Sequence, residues 1–312
     1  MTEQYLSGEW VRIDLAADPE MTDALANFLT EIGAEGVYQE SLSPLSFTDE
    51  VEGPVHYEKL TAHFPREDKE SVLASLETYL ESLSLLFPKS RKPCLTLKDI
   101  SDPDWGEEWK KYFHPFRIGK KFVIKPTWEF YQPVGDDMVI EIDPGMAFGT
   151  GQHHSTAMCL QAMEDLFETQ QISPASSEVL DVGTGTGILG IAAVRLGVEK
   201  NVVCLDIDEK AVAIARENAI VNRAADKMEI HNRPLSSLRQ KFHLILANLT
   251  AKTLLELANE LESLLTPGGC LVISGIIEQQ SRDIEERFSL PPLRLLRIMK
   301  SEEWRCYVIT KE

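Results

Sequence analysis

No stretch of this 312-residue chain approaches the ~18 consecutive apolar residues that a membrane span needs. The first ten residues, MTEQYLSGEW, lack both the basic start and the apolar run of a secretory signal, so neither membrane insertion nor secretion is expected. Cysteine is scarce. Cys94, Cys159, Cys204, Cys270 and Cys306 are spread out with no C-x-x-C pair, which argues against a disulfide framework or a zinc knuckle and fits a reducing cytoplasm. Positive charge is scarce in the first ninety residues, where 5 basic residues face 18 acidic ones, a balance of -13 out of -19 for the whole chain. A nucleic-acid surface carries a basic footprint, so this acidic third disfavours direct DNA or RNA binding and suits a cationic partner; plain solubility is the competing explanation. The bulk composition, 43% apolar and 26% charged, is that of a globular protein and excludes disorder, collagen-like repeats and coiled coil. The length is about twice that of a ~150-residue domain and predicts two domains or one large one.

Alternating polar and apolar residues predict a strand over 10–15, and a helical pattern follows from Pro19 to Ile32, stopped by Gly33. A strand near 36–40, a loop over 41–55, a strand over 59–64, a helix over 67–87 and a strand over 94–100 complete the series. Strand-helix-strand-strand-helix-strand is the order of a ferredoxin-like α+β sandwich, assigned here to residues 1–100. Residues 101–133 are rich in aromatics (Trp105, Trp109, Tyr112, Trp128) and interrupted by Pro103, Pro115, Pro126 and Pro133. They read as a packed connector, with RNA contact through interleaved lysines as the weaker alternative. From 134 to 312 strands at 178–182, 202–207, 228–231, 242–248 and 270–275 alternate with helices at 187–197, 209–222, 251–265 and 277–288. That alternation predicts a doubly wound parallel α/β sheet. Residues 293–300 and 305–310 are joined too tightly for a crossover helix and must pair as an antiparallel hairpin, making seven strands.

The segment Asp181-Val182-Gly183-Thr184-Gly185-Thr186-Gly187 sits where a buried strand turns into a helix, and its glycines let the backbone turn sharply under a ligand. Gly185-x-Gly187-x-x-Gly190, with Asp206 about 20 residues on, also satisfies a dinucleotide pattern. Asp181, however, brings a carboxylate to the mouth of a loop where a pyrophosphate would sit, and it favours the cationic methionine portion of S-adenosylmethionine instead. The terminal hairpin points the same way, because dinucleotide folds end without it. Asp206 is placed to accept from ribose hydroxyls and Asp208 to cap the helix that follows. Asn248 ends the fourth strand, where its amide could orient an incoming amine; a turn role is the alternative. A second glycine-bearing stretch, residues 143–156, reads as a flap carrying Phe148 over the ligand ahead of a helix from about Ser155 to Phe167. His153 within it is a candidate base, with packing as the competing role. His153 and His154 are neighbours with no acid or thiol at ligand spacing, so no metal site is expected.

Taken together, DPGMAFGTGQHHST, VLDVGTGTGILGIAA, CLDID, LANL and DWGEEWKKYFHP resemble, in order along the whole chain, the bacterial methyltransferases of ribosomal protein L-eleven. The resemblance implies a class I methyltransferase sheet behind a substrate-recognition domain. It also implies S-adenosyl-L-methionine bound through Thr156, Gly183, Asp206 and Asn248, to which the local argument adds Asp181, Gly185 and Phe148, with Asn248 as the catalytic candidate. It implies N-methylation of lysine side-chain and amino-terminal amines of that ribosomal protein, a connector that lets the first domain swing, and a cytoplasmic enzyme, expected to be a monomer. The chain departs from the usual motifs at His154, where proline is usual, at Ser155, where threonine is common, and at Thr184, where cysteine often sits. A methyltransferase of another protein or of RNA would keep the same cofactor residues, a dinucleotide oxidoreductase is a second alternative, and a non-catalytic ribosome-binding module, which would need damaged cofactor motifs, is a third.

Overall fold

The computed structural model describes residues 10–34, 37–42, 57–88, 90–100, 113–143 and 149–312. The chain divides into two compact units, the boundary falling between Phe113 and His114.

The first unit contains β1 (Trp10–Ala17), α1 (Pro19–Glu31), β2 (Val37–Leu42), β3 (Tyr57–Pro65), α2 (Lys69–Leu86) and β4 (Cys94–Ile100). Its strands form one antiparallel sheet in the order β2-β3-β1-β4, the ferredoxin-like arrangement. The two-residue period of β1 decides its faces. Val11, Ile13, Leu15 and Ala17 are buried with Leu60, Ala62 and Phe64 of β3 and with Met21, Leu25 and Leu29 of α1 and Leu76 of α2. Asp14 and Thr61 are register partners on the other face, where Asp14 accepts from Thr61 Oγ1 at 2.7 Å and from Arg12 Nε at 2.8 Å.

The second unit opens with a small sheet that the pattern of residues 114–141 did not suggest: β5 (Phe116–Ile118), β6 (Phe122–Lys125) and β7 (Met138–Glu141), in that order. The part of the expected connector beyond His114 is therefore regular structure packed into this unit, with Ile118, Phe122 and Ile124 in its core. Then follow α3 (His154–Glu168), β8 (Val179–Val182), α4 (Ile188–Arg195), β9 (Val202–Asp206), α5 (Glu209–Val221), β10 (Met228–Asn232), β11 (Phe242–Asn248), α6 (Ala251–Leu264), β12 (Leu265–Ile277), α7 (Ser281–Phe288), β13 (Leu293–Ser301) and β14 (Trp304–Lys311). The seven-stranded sheet runs β10-β9-β8-β11-β12-β14-β13, parallel up to β12. The terminal hairpin is present, and its second strand lies inside the sheet, antiparallel to both β12 and β13. β12 is longer than the 270–275 expected. Leu265 already pairs with Phe242, and the strand continues to Ile277, so α7 begins four residues later than the helical pattern suggested.

Two buried polar side chains fasten the small sheet to the helices. Glu164 of α3, 1% exposed, accepts from the backbone N–H groups of Lys120 and Lys121 at 2.9 and 2.7 Å. Asn222, after α5, donates to Glu141 O at 2.7 Å and accepts from Glu141 N at 2.8 Å. Replacing the carboxylate by an apolar group leaves two N–H groups without their acceptor. Glu164→Leu should therefore lower unfolding stability by about 2–3 kcal/mol in urea titrations, against less than about 0.5 kcal/mol for a substitution at the exposed Glu217.

Candidate functional site

Strand order reverses between β8 and β11, and in an open α/β sheet a ligand binds outside the carboxyl ends of the strands at such a reversal. The strands around it deliver Gly183 just after β8, Asp206 at the end of β9 and Asn248 at the end of β11. Gly183, Gly185 and Gly187 have φ of +70°, +54° and +83°. Gly183 N and Thr184 N both donate to Leu205 O, at 2.8 and 2.9 Å, folding the loop back against β9.

The N-cap of α4 is Gly187, which has no side chain to satisfy the first helical N–H groups. Asp181 supplies the acceptor from within β8: its Oδ2 accepts from Gly190 N at 3.3 Å and from Thr184 Oγ1 at 2.6 Å. Gly190 permits this approach, since a Cβ there would lie 2.7 Å from Cys204 Sγ and 2.8 Å from Met228 Cε. Asp181 is 0% exposed, so its carboxylate lies beneath the loop and not at its mouth. Its Oδ1 is buried with no hydrogen-bond partner. Burial, helped by the nearby Asp206 charge and opposed by the bonds from Thr184 and Gly190, pushes its pKa up to about 7.

Asp206 is half-buried, and both of its oxygens hold backbone: Oδ2 accepts from Gly185 N at 2.9 Å and Oδ1 from Asp208 N at 3.0 Å. A carboxylate has about four acceptor directions, so hydroxyls can still be taken. Asp208 caps α5 through Lys210 N at 2.9 Å, as its position anticipated. Between the two acids Ile207 stands 86% exposed, an apolar surface beside Asp206 that the sequence reading passed over. An aliphatic residue flanked by two acids at a strand end was the available signal.

On the other side of the reversal Asn248 Nδ2 donates to Thr156 Oγ1 of α3 at 3.1 Å, which leaves Asn248 Oδ1 buried and without a partner. Thr156 is itself 1% exposed. Gly275 of β12 makes room for this corner. With φ at +84°, a Cβ there would lie 2.5 Å from Leu249 O and 3.1 Å from Asn248 Oδ1. No sequence pattern pointed to Gly275.

Of the flap, Phe148 lies outside the described residues. Gly149 is joined to the glycine loop, its carbonyl accepting from Thr186 Oγ1 at 2.6 Å. His153 is the N-cap of α3, with Nδ1 accepting from Ser155 N at 3.2 Å and its ring edge-on to Trp304 at 4.5 Å. Burial holds its pKa down to about 3, so it stays neutral and is a poor base at neutral pH. The structure favours the packing role.

Two outcomes follow. Gly275→Ala should cost clearly more stability, about 3 kcal/mol, than Gly197→Ala, about 1–2 kcal/mol. Both glycines have positive φ, but nothing lies within 4 Å of a Cβ at Gly197. Thermal melts of the two variants would show it. A histidine held below its unfolded-state pKa binds fewer protons folded than unfolded, so stability is lost as pH falls below ~6.5. His153 should contribute about 2 kcal/mol of lost stability between pH 7 and pH 5, and His63 of the first unit, also held at about 3, acts in the same direction. His153→Asn, which keeps a capping side chain, should flatten the pH dependence in urea titrations.

The family described as ribosomal protein L11 methyltransferase (PrmA) matches residues 9–312. A ribosomal protein L11 methyltransferase of Geotalea daltonii is 37% identical over 311 residues, covering 95% of this chain and 96% of its own. One of Geobacter sulfurreducens is 37% identical over 305 residues, with 97% and 99% covered. The crystal structure of the ribosomal protein L11 methylase of Lactobacillus delbrueckii subsp. bulgaricus, at 33% identity, superposes with a TM-score of 0.58 over 64% of this chain and all of that one. With a match from residue 9 to 312 and relatives at this identity over nearly their full length, the chain belongs to the ribosomal protein L11 methyltransferase family.

Proposed function

We propose that this protein transfers methyl groups from S-adenosylmethionine to lysine side-chain and amino-terminal amines of ribosomal protein L11. The observation that carries the reading is the acceptor-rich carboxyl edge of the large sheet, where Asp206 and the unpaired Asn248 Oδ1 flank a glycine loop that has the buried Asp181 carboxyl beneath it. Such an edge suits a ligand that brings cations and hydroxyls. Asp206 would take the ribose hydroxyls, Ile207 would cover the base, and the turn at Gly183 and Gly185, with no Cβ in the way, would line the rest together with Thr156. Asp181 would act from beneath through its charge. When bound, S-adenosylmethionine supplies an electrophilic methyl group on a sulfonium.

A lysine with pKa ~10.4 is neutral in only about one molecule in 2,500 at pH 7, a cost of about 4.6 kcal/mol that the site has to offset. Removal from water beside Asn248 lowers that pKa. Asn248 Oδ1 accepts from the amine and aims its lone pair, while Thr156 Oγ1 holds the other end of the amide. No dedicated base is needed: the proton leaves to water, and His153 stays neutral in its cap.

The acidic first ninety residues support a cationic protein partner and disfavour a phosphate backbone. A dinucleotide is disfavoured because the helix terminus that would cradle its phosphates already has the Asp181 carboxylate under it. The test is incubation with labelled S-adenosylmethionine and, in parallel, recombinant L11 and bulk ribosomal RNA, followed by mass mapping. Methyl groups are expected on amines of L11 alone; label on RNA alone would overturn the partner. Asp206→Ala should weaken donor binding about 10–100-fold, and Asn248→Ala should lower kcat at saturating donor about 100-fold.

A further inference from the structure

Asp181 is the one fully buried carboxylate under the glycine loop, and its surroundings hold no compensating cation among the described residues. Its Oδ2 is occupied by Thr184 Oγ1 and Gly190 N, and its Oδ1 faces no donor. Each element packed around it contributes either nothing charged or a negative charge. On β9 its register partner is Cys204, with Asp206 two residues on; on β11 its register partner is Leu246; from α3 comes Cys159, hydrogen-bonded to Cys306 of β14; from α4 comes the backbone N–H of Gly190. The thiols are neutral: the pKa of Cys204 is raised by burial and by Asp181, and that of Cys159 by its hydrogen bond with Cys306, by burial and by Asp181. A buried anion whose charged neighbour is another anion is costly, and taking up a proton relieves it.

We infer that Asp181 gives up a proton when the cationic methyl donor binds, so that donor affinity in this protein is linked to pH. The inference rests on the proposed use of S-adenosylmethionine. In the free protein burial keeps the carboxyl protonated in a large fraction of molecules at neutral pH, its pKa standing at about 7. A sulfonium and an ammonium arriving above the loop stabilise the anion through a medium of low dielectric, and the proton passes to the buffer. Adenosylhomocysteine, the product, has an uncharged thioether and stabilises the anion less. The same carboxyl therefore discriminates donor from product, more strongly as pH rises through neutrality.

The experiment is isothermal titration calorimetry of S-adenosylmethionine into the full chain at pH 6.5, in two buffers of different ionisation enthalpy. About three-quarters of a proton should be released per donor bound, and clearly less for adenosylhomocysteine. Donor affinity of the wild type relative to Asp181→Asn should fall about tenfold from pH 8 to pH 6; taking the ratio removes the donor's own amino group, which titrates near ~7.7–8.0 in both titrations. Where Asp181→Asn does not fold, the infrared difference spectrum of the wild type decides, by loss of a protonated-carboxyl stretch on donor binding. Heats that do not depend on buffer, or a released proton that persists in Asp181→Asn, overturn the inference while leaving the methyl donor in place. Absence of donor binding at every pH overturns the proposed function itself.

Discussion

A chain that leaves a buried parallel strand and enters a helix after five intervening residues has to reverse its direction while the first N–H groups of the helix find acceptors. Between β8 and α4 the residues best able to turn are glycines, and glycines cannot cap. The acceptor therefore comes from the strand itself, as the buried Asp181 carboxylate reaching Gly190 N and Thr184 Oγ1. Much of the site depends on that arrangement. It requires glycine at 190, where any Cβ meets Cys204 and Met228, and it aligns the loop so that Gly185 N reaches Asp206 at 2.9 Å. The two acids thus act on one loop from two sides, one from below and one at its rim.

The opposite wall is built on a different constraint. Asn248 and Thr156 are 92 positions apart, and their contact at 3.1 Å exists because α3 packs beside the end of β11. Gly275 lets β12 pass close enough to hold Leu249 N through Ser274 O at 3.0 Å. A side-chain amide whose donor end is fixed by a buried hydroxyl presents its acceptor end in one direction, and that pre-organisation is what aiming an amine requires.

Much of this architecture could be read from residue patterns, and the places where it could not have physical reasons. The elements of the first unit were legible because residues 10–15 alternate apolar with polar, the apolar spacing of α1 and α2 is helical, and Gly33 follows the end of α1. β5, β6 and β7 were not, since strands of three or four residues such as Phe116–Ile118 span no more than two periods, and prolines at 115, 126 and 133 lie between or beside them. Asp181 was correctly placed before the glycines but on the wrong side of them. β8 is buried on both faces, and a strand without alternation gives no sign of where a side chain points. The terminal hairpin was legible from its tight turn. Which of its strands enters the sheet was also written in the residues: β14 is nearly continuous apolar sequence from Trp304 to Thr310, whereas β13 carries Arg294, Arg297 and Lys300. Thr156 and Asn248 were brought together only by the family motifs, because spacing along a chain cannot report a long-range contact.

The position of β14 bears on how the protein is made. It follows β13 in the chain, yet in the sheet it lies between β12 and β13. Synthesis runs from amino to carboxyl end, so the outer edge of β12 stays open while α7 and β13 emerge, and β13 has nothing to pair with until β14 is released. The first unit has all its strands early. The sheet that carries Asn248 and the glycine loop therefore cannot be complete before β14 is available, and until then β12 presents an apolar, unpaired edge of the kind that invites wrong pairing.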